Sequence, residues 1–194
     1  MRDEHAGRRW RLFVAAPVPP PAAEALWRQL EPMRRRHPHA RWLPPEQLHA
    51  TLVFVGPIDP TRAGVLSRAI SAVSAGQPRF AVSTGAGDGR ADNRRGGVAW
   101  LRLAEGSSAV RRLALSLDQA MATNTYHSPP PRPHVTVARR VAEALLADLR
   151  VHSAGVAADW IVDAVVLFRS RTLPTGAHYE AISAHPLTEG HASP

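Results

Sequence analysis

Two apolar segments of the chain share one pattern of polar and hydrophobic positions. Segment 49–56 begins with His49, has Thr51 two residues later and is otherwise mostly apolar; segment 133–139 repeats this order with His134 and Thr136. Successive side chains of a β-strand point to opposite faces, so each histidine shares a face with its threonine. If the two strands lie side by side, two imidazoles and two hydroxyl groups converge on one small space.

Hydrophobic periodicity predicts the surrounding elements in a matched order. Each half of the chain reads as strand, helix, histidine strand, helix, strand. The predicted strands are 10–16, 49–55 and 80–84 in the first half and 98–103, 134–138 and 160–168 in the second, followed by a last strand at 177–182. This order predicts an α+β fold of two pseudo-symmetric lobes, whose antiparallel sheets face a central cleft with the helices on the outside.

The same pattern suggests the domain organisation. Residues 10–187 are expected to form a single bilobal domain, with the lobe boundary in residues 85–97, which are expected to be a polar, glycine-rich loop. Residues 1–9 and 188–194 are expected to be flexible tails at the two ends of this domain.

Composition narrows the class of protein. The 194 residues include no cysteine, which excludes disulfides, thiolate metal sites and a cysteine nucleophile. No apolar run approaches the length of a membrane span, so we expect a cytoplasmic protein without membrane attachment.

All 24 basic residues are arginine, against 16 acidic residues, and the net charge of +8 favours a polyanionic partner. A coding bias would explain the choice of arginine, but not the excess of positive charge.

The paired pattern suits phosphoryl chemistry. Either copy alone is typical of a structural histidine at a strand end, but a pair at equivalent places in two half-chains favours a site. One neutral and one protonated imidazole supply a general base and a general acid near neutral pH. Threonine hydroxyls can donate hydrogen bonds to phosphoryl oxygens. This chemistry requires neither a metal nor another cofactor.

Other interpretations stay open or fit less well. Two histidines could ligate zinc, but a catalytic zinc site uses a third protein ligand, and no acid adjoins either motif. No Gly-x-Ser-x-Gly segment of a serine hydrolase and no Walker loop is present. An RNA-binding module with the same histidine and threonine pairs but no turnover is the rival from outside the enzymes.

Six segments extend the pattern to a family resemblance over about residues 10–187. They are 11–15, 41–52, 98–100, 132–139, 167–170 and 176–180. With the two His-x-Thr strands they resemble the 2H phosphoesterase superfamily and, within it, the RNA 2′,3′-cyclic phosphodiesterases, also called 2′-5′ RNA ligases. The resemblance implies hydrolysis of a terminal RNA 2′,3′-cyclic phosphate to a 2′-phosphate, with weak, reversible 2′-5′ ligation. A related enzyme acting on a small cyclic nucleotide is the alternative.

The resemblance also implies roles for individual residues. His49 corresponds to the proton donor and His134 to the proton acceptor, while Thr51 and Thr136 bind the phosphate. Arg139 matches a family arginine that faces the site. Three residues after Thr136, however, a regular strand points away from the site, so Arg139 requires a bulge or the end of the strand to turn inward. A solvated arginine at a strand end is the alternative.

Further residues are candidates for substrate contacts. Arg94, Arg95 and Arg132 could contact RNA phosphates, and Trp42 and Phe54 could stack on a base, although Phe54 also fits a place in the core. The expected partner is RNA with a 2′,3′-cyclic phosphate end, or a cyclic nucleotide, and the protein is expected to act as a monomer.

Overall fold

The computed structural model describes residues 9–92, 96–121, 132–173 and 176–189. Within these ranges the chain forms nine β-strands and five α-helices. The strands are β1 (Trp10–Pro17), β2 (Arg41–Trp42), β3 (His49–Ile58), β4 (Phe80–Arg90), β5 (Gly97–Leu103), β6 (His134–Val141), β7 (Asp159–Val162), β8 (Ala164–Leu173) and β9 (Gly176–Pro186). The helices are α1 (Pro20–Gln29), α2 (Glu31–Arg36), α3 (Ala63–Ser74), α4 (Ser107–Ala120) and α5 (Glu143–His152).

The strands form one curled antiparallel sheet in the order β7-β4-β5-β6-β3-β1-β8-β9, with β2 also paired to β6. The two histidine strands lie side by side at the centre, where Ala50 pairs with Val135. The two sides of the sheet are equivalent about this central pair of strands. From the centre outwards, one side has β5, β4 and β7, and the other has β1, β8 and β9 at the corresponding places. The predicted α+β fold with two matched antiparallel halves is confirmed.

The two halves share strands more closely than the pattern predicted. β4 follows the helix that closes the first half of the chain, yet it pairs with β5 of the second half. In turn β8, from the second half, pairs with β1 of the first. Periodicity shows which residues share a face but not which strand they pair with, so this exchange of strands could not be read from the pattern.

The apolar core lies on the face of the sheet opposite the histidines. Ala50 and Leu52 of β3 and Val135 and Val137 of β6 are buried in one cluster with the inward leucines of the helices. These helix residues are Leu26, Leu66, Leu113, Leu117, Leu145, Leu146 and Leu149. The helices therefore cover one face of the sheet and leave the histidine face open.

The glycine-rich stretch 85–97 is not all loop, because β4 continues through Arg90. Gly87 and Gly89 lie against Leu149 and Leu146 of α5, where a Cβ atom would clash with the leucine side chains. These glycines allow a helix to pack closely on the strand, whereas a glycine-rich composition by itself predicts a loop. Of the predicted boundary, residues 93–95 lie outside the described part of the chain.

The first residues of the expected C-terminal tail, Thr188 and Glu189, lie within the described ranges. Thr188 is attached to the fold, because its backbone N–H donates to the carbonyl of Gln77 over 2.9 Å. Residues 1–8 and 190–194, which make up most of the expected tails, are not described. None of the helices in the described ranges has both the length and the apolar character needed to span a bilayer.

Candidate active site

Each histidine strand contains a β-bulge at the same place in its motif. Between β1 and β3, Val14 pairs with Val53 and Ala15 with Thr51, so Leu52 is an extra residue. Between β5 and β6, Ala99 pairs with Ala138 and Trp100 with Thr136, so Val137 is the extra residue. One extra residue reverses the alternation of faces beyond it.

The bulges determine which side chains reach the site. The third residue after each threonine returns to the histidine face, and these residues are Phe54 in β3 and Arg139 in β6. The bulge that Arg139 requires is therefore present. The backbone of the two motifs matches through this position, but an aromatic ring occupies it in one half and a guanidinium in the other.

Six of the predicted site residues line one open cavity of about 740 Å³. They are His49, Thr51, Phe54, His134, Thr136 and Arg139. The structure therefore brings both His-x-Thr pairs to one space, from adjacent strands at the centre of the sheet.

The remaining candidates are placed elsewhere. The Nε1 atom of Trp42 donates to the carbonyl of His37 over 3.1 Å, and its indole packs against the apolar core, so Trp42 is not part of the cavity wall. Arg132 is exposed outside the lining, and its backbone carbonyl contacts His134. Arg94 and Arg95 lie outside the described residues.

The two imidazoles are oriented in the same way. His49 Nδ1 lies 2.7 Å from the carbonyl of Gln47, and His134 Nδ1 lies 2.5 Å from the carbonyl of Arg132. A carbonyl oxygen can only accept a hydrogen bond, so each Nδ1 carries a proton. This fixes the tautomer and leaves each Nε2 as the atom that exchanges a proton with a ligand.

The surroundings of the two rings differ. His49 lies among three aromatic rings, with centroid distances of 5.2 Å to Phe13, 5.2 Å to Tyr179 and 6.2 Å to Phe168. The Tyr179 ring meets His49 edge-on, at an interplanar angle of 90°. His134 contacts Trp100 at 5.4 Å. His49 is therefore the more enclosed of the two.

Both imidazoles are held towards the neutral form. Burial lowers the pKa of His49 to about 4, with further lowering by the charges of Arg139 and His134 and an opposing effect of the bond to Gln47. Burial, together with Arg139, also lowers the pKa of His134. An anion bound in the cavity would favour the protonated form of each imidazole and would therefore raise both pKa values.

Arg139 adds a positive charge that lacks a protein counter-ion among the described residues of the cavity. One of its terminal nitrogens donates to the Tyr179 hydroxyl over 3.4 Å, and its Nε atom is buried without a hydrogen-bond partner in the same part of the chain. A guanidinium in this state matches the geometry of a phosphate or carboxylate. The arrangement can therefore bind an anion between two proton-exchanging nitrogens.

The donor set is unfavourable for a metal. In the described part of the chain, no cluster of three or more histidine, cysteine or acidic side chains has the geometry to ligate an ion. The cation of Arg139 acts on both imidazoles, and it repels a second cation.

Comparison with known proteins identifies the family. The model of the 2'-5' RNA ligase superfamily matches residues 18–173. The chain belongs to this superfamily of 2H phosphoesterases. Among curated proteins, the RNA 2',3'-cyclic phosphodiesterase of Geobacillus stearothermophilus is 27% identical over 184 residues. That match covers 93% of this chain and 58% of the relative, so the chain spans a little over half the length of the curated relative.

Solved structures of other proteins share the fold of this chain. TT0787 of Thermus thermophilus matches with a TM-score of 0.73 and 22% identity, covering 93% of this chain and all of that chain. E. coli LigT complexed with 3'-AMP matches with a TM-score of 0.68 and 24% identity, covering 94% of this chain and all of that chain.

Three polar residues that line the cavity of this protein were not predicted from the sequence. Arg11, Ser170 and Tyr179 line the cavity with the predicted residues. All three stand in segments that supported the family resemblance, so a signal was present. Their placement depends on the pairing of β1 with β8 and of β8 with β9, which no local pattern shows.

Proposed function

We propose that this protein hydrolyses the 2′,3′-cyclic phosphate at the 3′ end of RNA to a 2′-phosphate by metal-independent two-histidine catalysis. The observation that supports the proposal is the shared cavity, in which two oriented Nε2 atoms, two threonine hydroxyls and one guanidinium meet. The excess of positive charge over the whole chain favours a nucleic-acid substrate over a neutral one.

In the proposed reaction Arg139 and the two threonines bind the non-bridging phosphoryl oxygens. His134 Nε2 accepts a proton from water as the water oxygen attacks phosphorus. The bond between phosphorus and the 3′ oxygen breaks, and His49 Nε2–H donates its proton to the departing oxygen. General acid–base catalysis of this kind contributes on the order of 10²- to 10⁴-fold. Weak 2′-5′ ligation follows when an RNA 5′ hydroxyl attacks phosphorus in place of water.

The asymmetry of the cavity supports His49 as the acid. The departing 3′ oxygen belongs to the nucleoside, and the attacking and leaving oxygens lie on opposite sides of phosphorus. The lining of the cavity continues past His49 along β3 to Pro57, whereas on β6 it ends at Arg139. The nucleoside therefore fits on the side of β3, the strand that carries His49, and water approaches from the side of β6, the strand that carries His134.

The anionic substrate also adjusts the acid. An imidazole with a pKa of about 4 is mostly neutral in the free protein at neutral pH. Bound phosphate offsets the charge of Arg139 and raises the pKa of His49 towards its usual value. Binding therefore loads the proton that the reaction consumes.

Phe54 is the candidate for stacking on the terminal base. It lies on the β3 side of the cavity, and the residue is 53% exposed, so the alternative of a core phenylalanine does not fit. An exposed aromatic ring beside a phosphate site is typical of contacts to single-stranded nucleic acid.

Localisation in the cytoplasm and a monomeric state remain predictions.

The test is turnover of an oligonucleotide ending in a 2′,3′-cyclic phosphate, with EDTA present, by the wild type and by His49→Ala, His134→Ala and His39→Ala. His39 is exposed and lies outside the cavity, so its variant controls for loss of a histidine. We expect turnover that survives EDTA and is lost only in the two cavity variants. Binding of the oligonucleotide without turnover would overturn the proposal in favour of an RNA-binding module.

A further inference from the structure

One side of the cavity is closed by side-chain contacts rather than by the pairing of strands. The strands β6, β3, β1, β8 and β9 are neighbours in this order, and the start of β9 comes back beside β2 and β6. Two arginines make the connection. Arg41 Nη2 on β2 donates to the carbonyl of Ala177 over 3.2 Å, and Arg139 on β6 donates to the Tyr179 hydroxyl. Ala177 and Tyr179 both line the cavity, so these bonds complete its wall.

The two arginines are neighbours on one face of the sheet. Arg41 and Arg139 are register partners of β2 and β6, and partners of this kind point to the same side. The adjacent pair, Trp42 and Ala138, packs in the apolar core on the other side, as strand alternation requires. Two positive charges in opposed positions repel each other. Each guanidinium reaches an oxygen atom of β9.

Gly176, the first residue of β9, leaves the space that the side chain of Arg41 fills. A Cβ atom built on Gly176 would overlap the guanidinium of Arg41. Its φ of 122° is also a backbone conformation that residues with a side chain rarely adopt. The start of β9 is therefore shaped to receive Arg41 closely.

We propose that Arg41 is a positioning residue, which with Gly176 holds the start of β9 against β2 and so keeps Tyr179 in place. Tyr179 follows Gly176 by three residues, and its ring meets His49 edge-on while its hydroxyl accepts from Arg139. Arg41 itself does not line the cavity, so it acts through Tyr179 rather than by touching the substrate. Its effect on turnover rests on the proposed function, but its effect on the His49 environment does not.

The first test is the NMR signal of the two histidine rings in the protein without ligand. In Arg41→Ala and in Gly176→Ala the Tyr179 ring should lose its fixed contact, and the ring-proton resonances of His49 should shift. Those of His134 should stay in place, because its ring contacts Trp100 instead. Equal shifts of both histidines would indicate a general loosening of the fold and would overturn the proposal, as would an unchanged His49.

The second test is turnover of the cyclic-phosphate oligonucleotide. Arg41→Ala and Gly176→Ala should each lower kcat by about two- to tenfold, with less effect on KM. Gly176→Ala keeps the charge of Arg41, so its loss of activity would not come from a missing positive charge. The double variant should cost little more than either single variant, because the added methyl group fills space that the guanidinium has already left. Additive losses would show that the two residues act separately and would overturn the proposal.

Arg171→Ala is the matched control. Arg171 is exposed on β8 outside the cavity lining, pairs with His178 of β9 and carries the same charge as Arg41. Its variant should leave both kcat and the His49 resonances unchanged. A wild type without turnover would overturn the proposed function, whereas the NMR comparison would still decide the role of Arg41.

Discussion

The two halves of the site share a backbone and differ in what they present from it. Each contributes a histidine, a threonine and a bulge that returns a third side chain to the cavity, but that side chain is Phe54 in β3 and Arg139 in β6. The rings also differ, because His49 lies among three aromatic rings and His134 contacts only Trp100 among the ring pairs of the described residues. In the proposed reaction, the shared backbone supplies a matched proton donor and acceptor, and the differences between the halves distinguish the nucleoside side from the water side.

The largest effects are expected at the histidines. His49→Ala and His134→Ala should each lower kcat by about 10³-fold or more, since each removes one proton transfer. A cyclic substrate with sulfur in place of the 3′ oxygen distinguishes them, because a thiolate departs without a proton. It should restore much of the activity of His49→Ala and little of that of His134→Ala. Rescue of His134→Ala alone would reverse the assignment of acid and base.

The third side chains should separate binding of the phosphate from binding of the base. Arg139→Gln should lower kcat by about 10²-fold, because it removes charge stabilisation of the phosphoryl oxygens. Phe54→Ala should raise KM by about tenfold or more, the usual cost of losing one stacked base, with less effect on kcat. Val65→Ala is the control, because Val65 is a comparably exposed apolar residue, at 51%, outside the cavity lining. Equal changes in kcat and KM for both site variants would contradict this division.

A smaller effect is expected at Tyr179, which contacts both halves. Tyr179→Phe keeps the ring edge against His49 but removes the hydroxyl that accepts from Arg139. We expect kcat to fall by about two- to tenfold, because the donor is charged but the bond is long, at 3.4 Å. Thermal unfolding should be unchanged, and Arg139→Gln with Tyr179→Phe should cost little more than Arg139→Gln alone. Additive losses would show that Tyr179 acts independently of Arg139.

The smallest expected effect is a shift in the pH dependence of kcat/KM. Both imidazoles have lowered pKa values, so the singly protonated pair of the free enzyme exists mainly below pH 6.5. The profile of kcat/KM should be bell-shaped, with its optimum below 6.5 and a decline as pH rises. Arg139→Gln removes a positive charge that lowers the pKa values of both histidines. NMR titration of the variant should therefore give higher pKa values for His49 and for His134. An unchanged His49 titration in that variant would contradict the electrostatic coupling of the halves.

Local patterns were sufficient to predict the parts of the site that depend on neighbouring residues. His49 with Thr51, and His134 with Thr136, share a face because strand alternation is local. The inward direction of Arg139 depends on a bulge formed against β5, which the spacing alone could not establish. Similarly, glycine composition fits a turn and a close helix contact equally well, so the part of β4 beyond residue 84 was predicted as loop.

Residues on β1, β8 and β9 could not be assigned to the site from the sequence for another reason. Arg11 and Tyr179 meet in one cavity because β1, β8 and β9 are neighbours, although the two residues are far apart along the chain. Trp42 is the converse case, a predicted site residue that the structure places outside the cavity lining. Its aromatic character suggested base stacking, but the structure directs its indole towards the core and its Nε1 to a backbone carbonyl.

The exchange of β4 and β8 between the halves has a consequence for folding. In a chain cut at Ala91, β4 of the first fragment loses its partner β5, and β8 of the second fragment loses its partner β1. Each fragment then exposes an unpaired sheet edge that only the other can cover. The two fragments should therefore regain structure only on mixing, and the intact domain should unfold in a single cooperative transition rather than half by half.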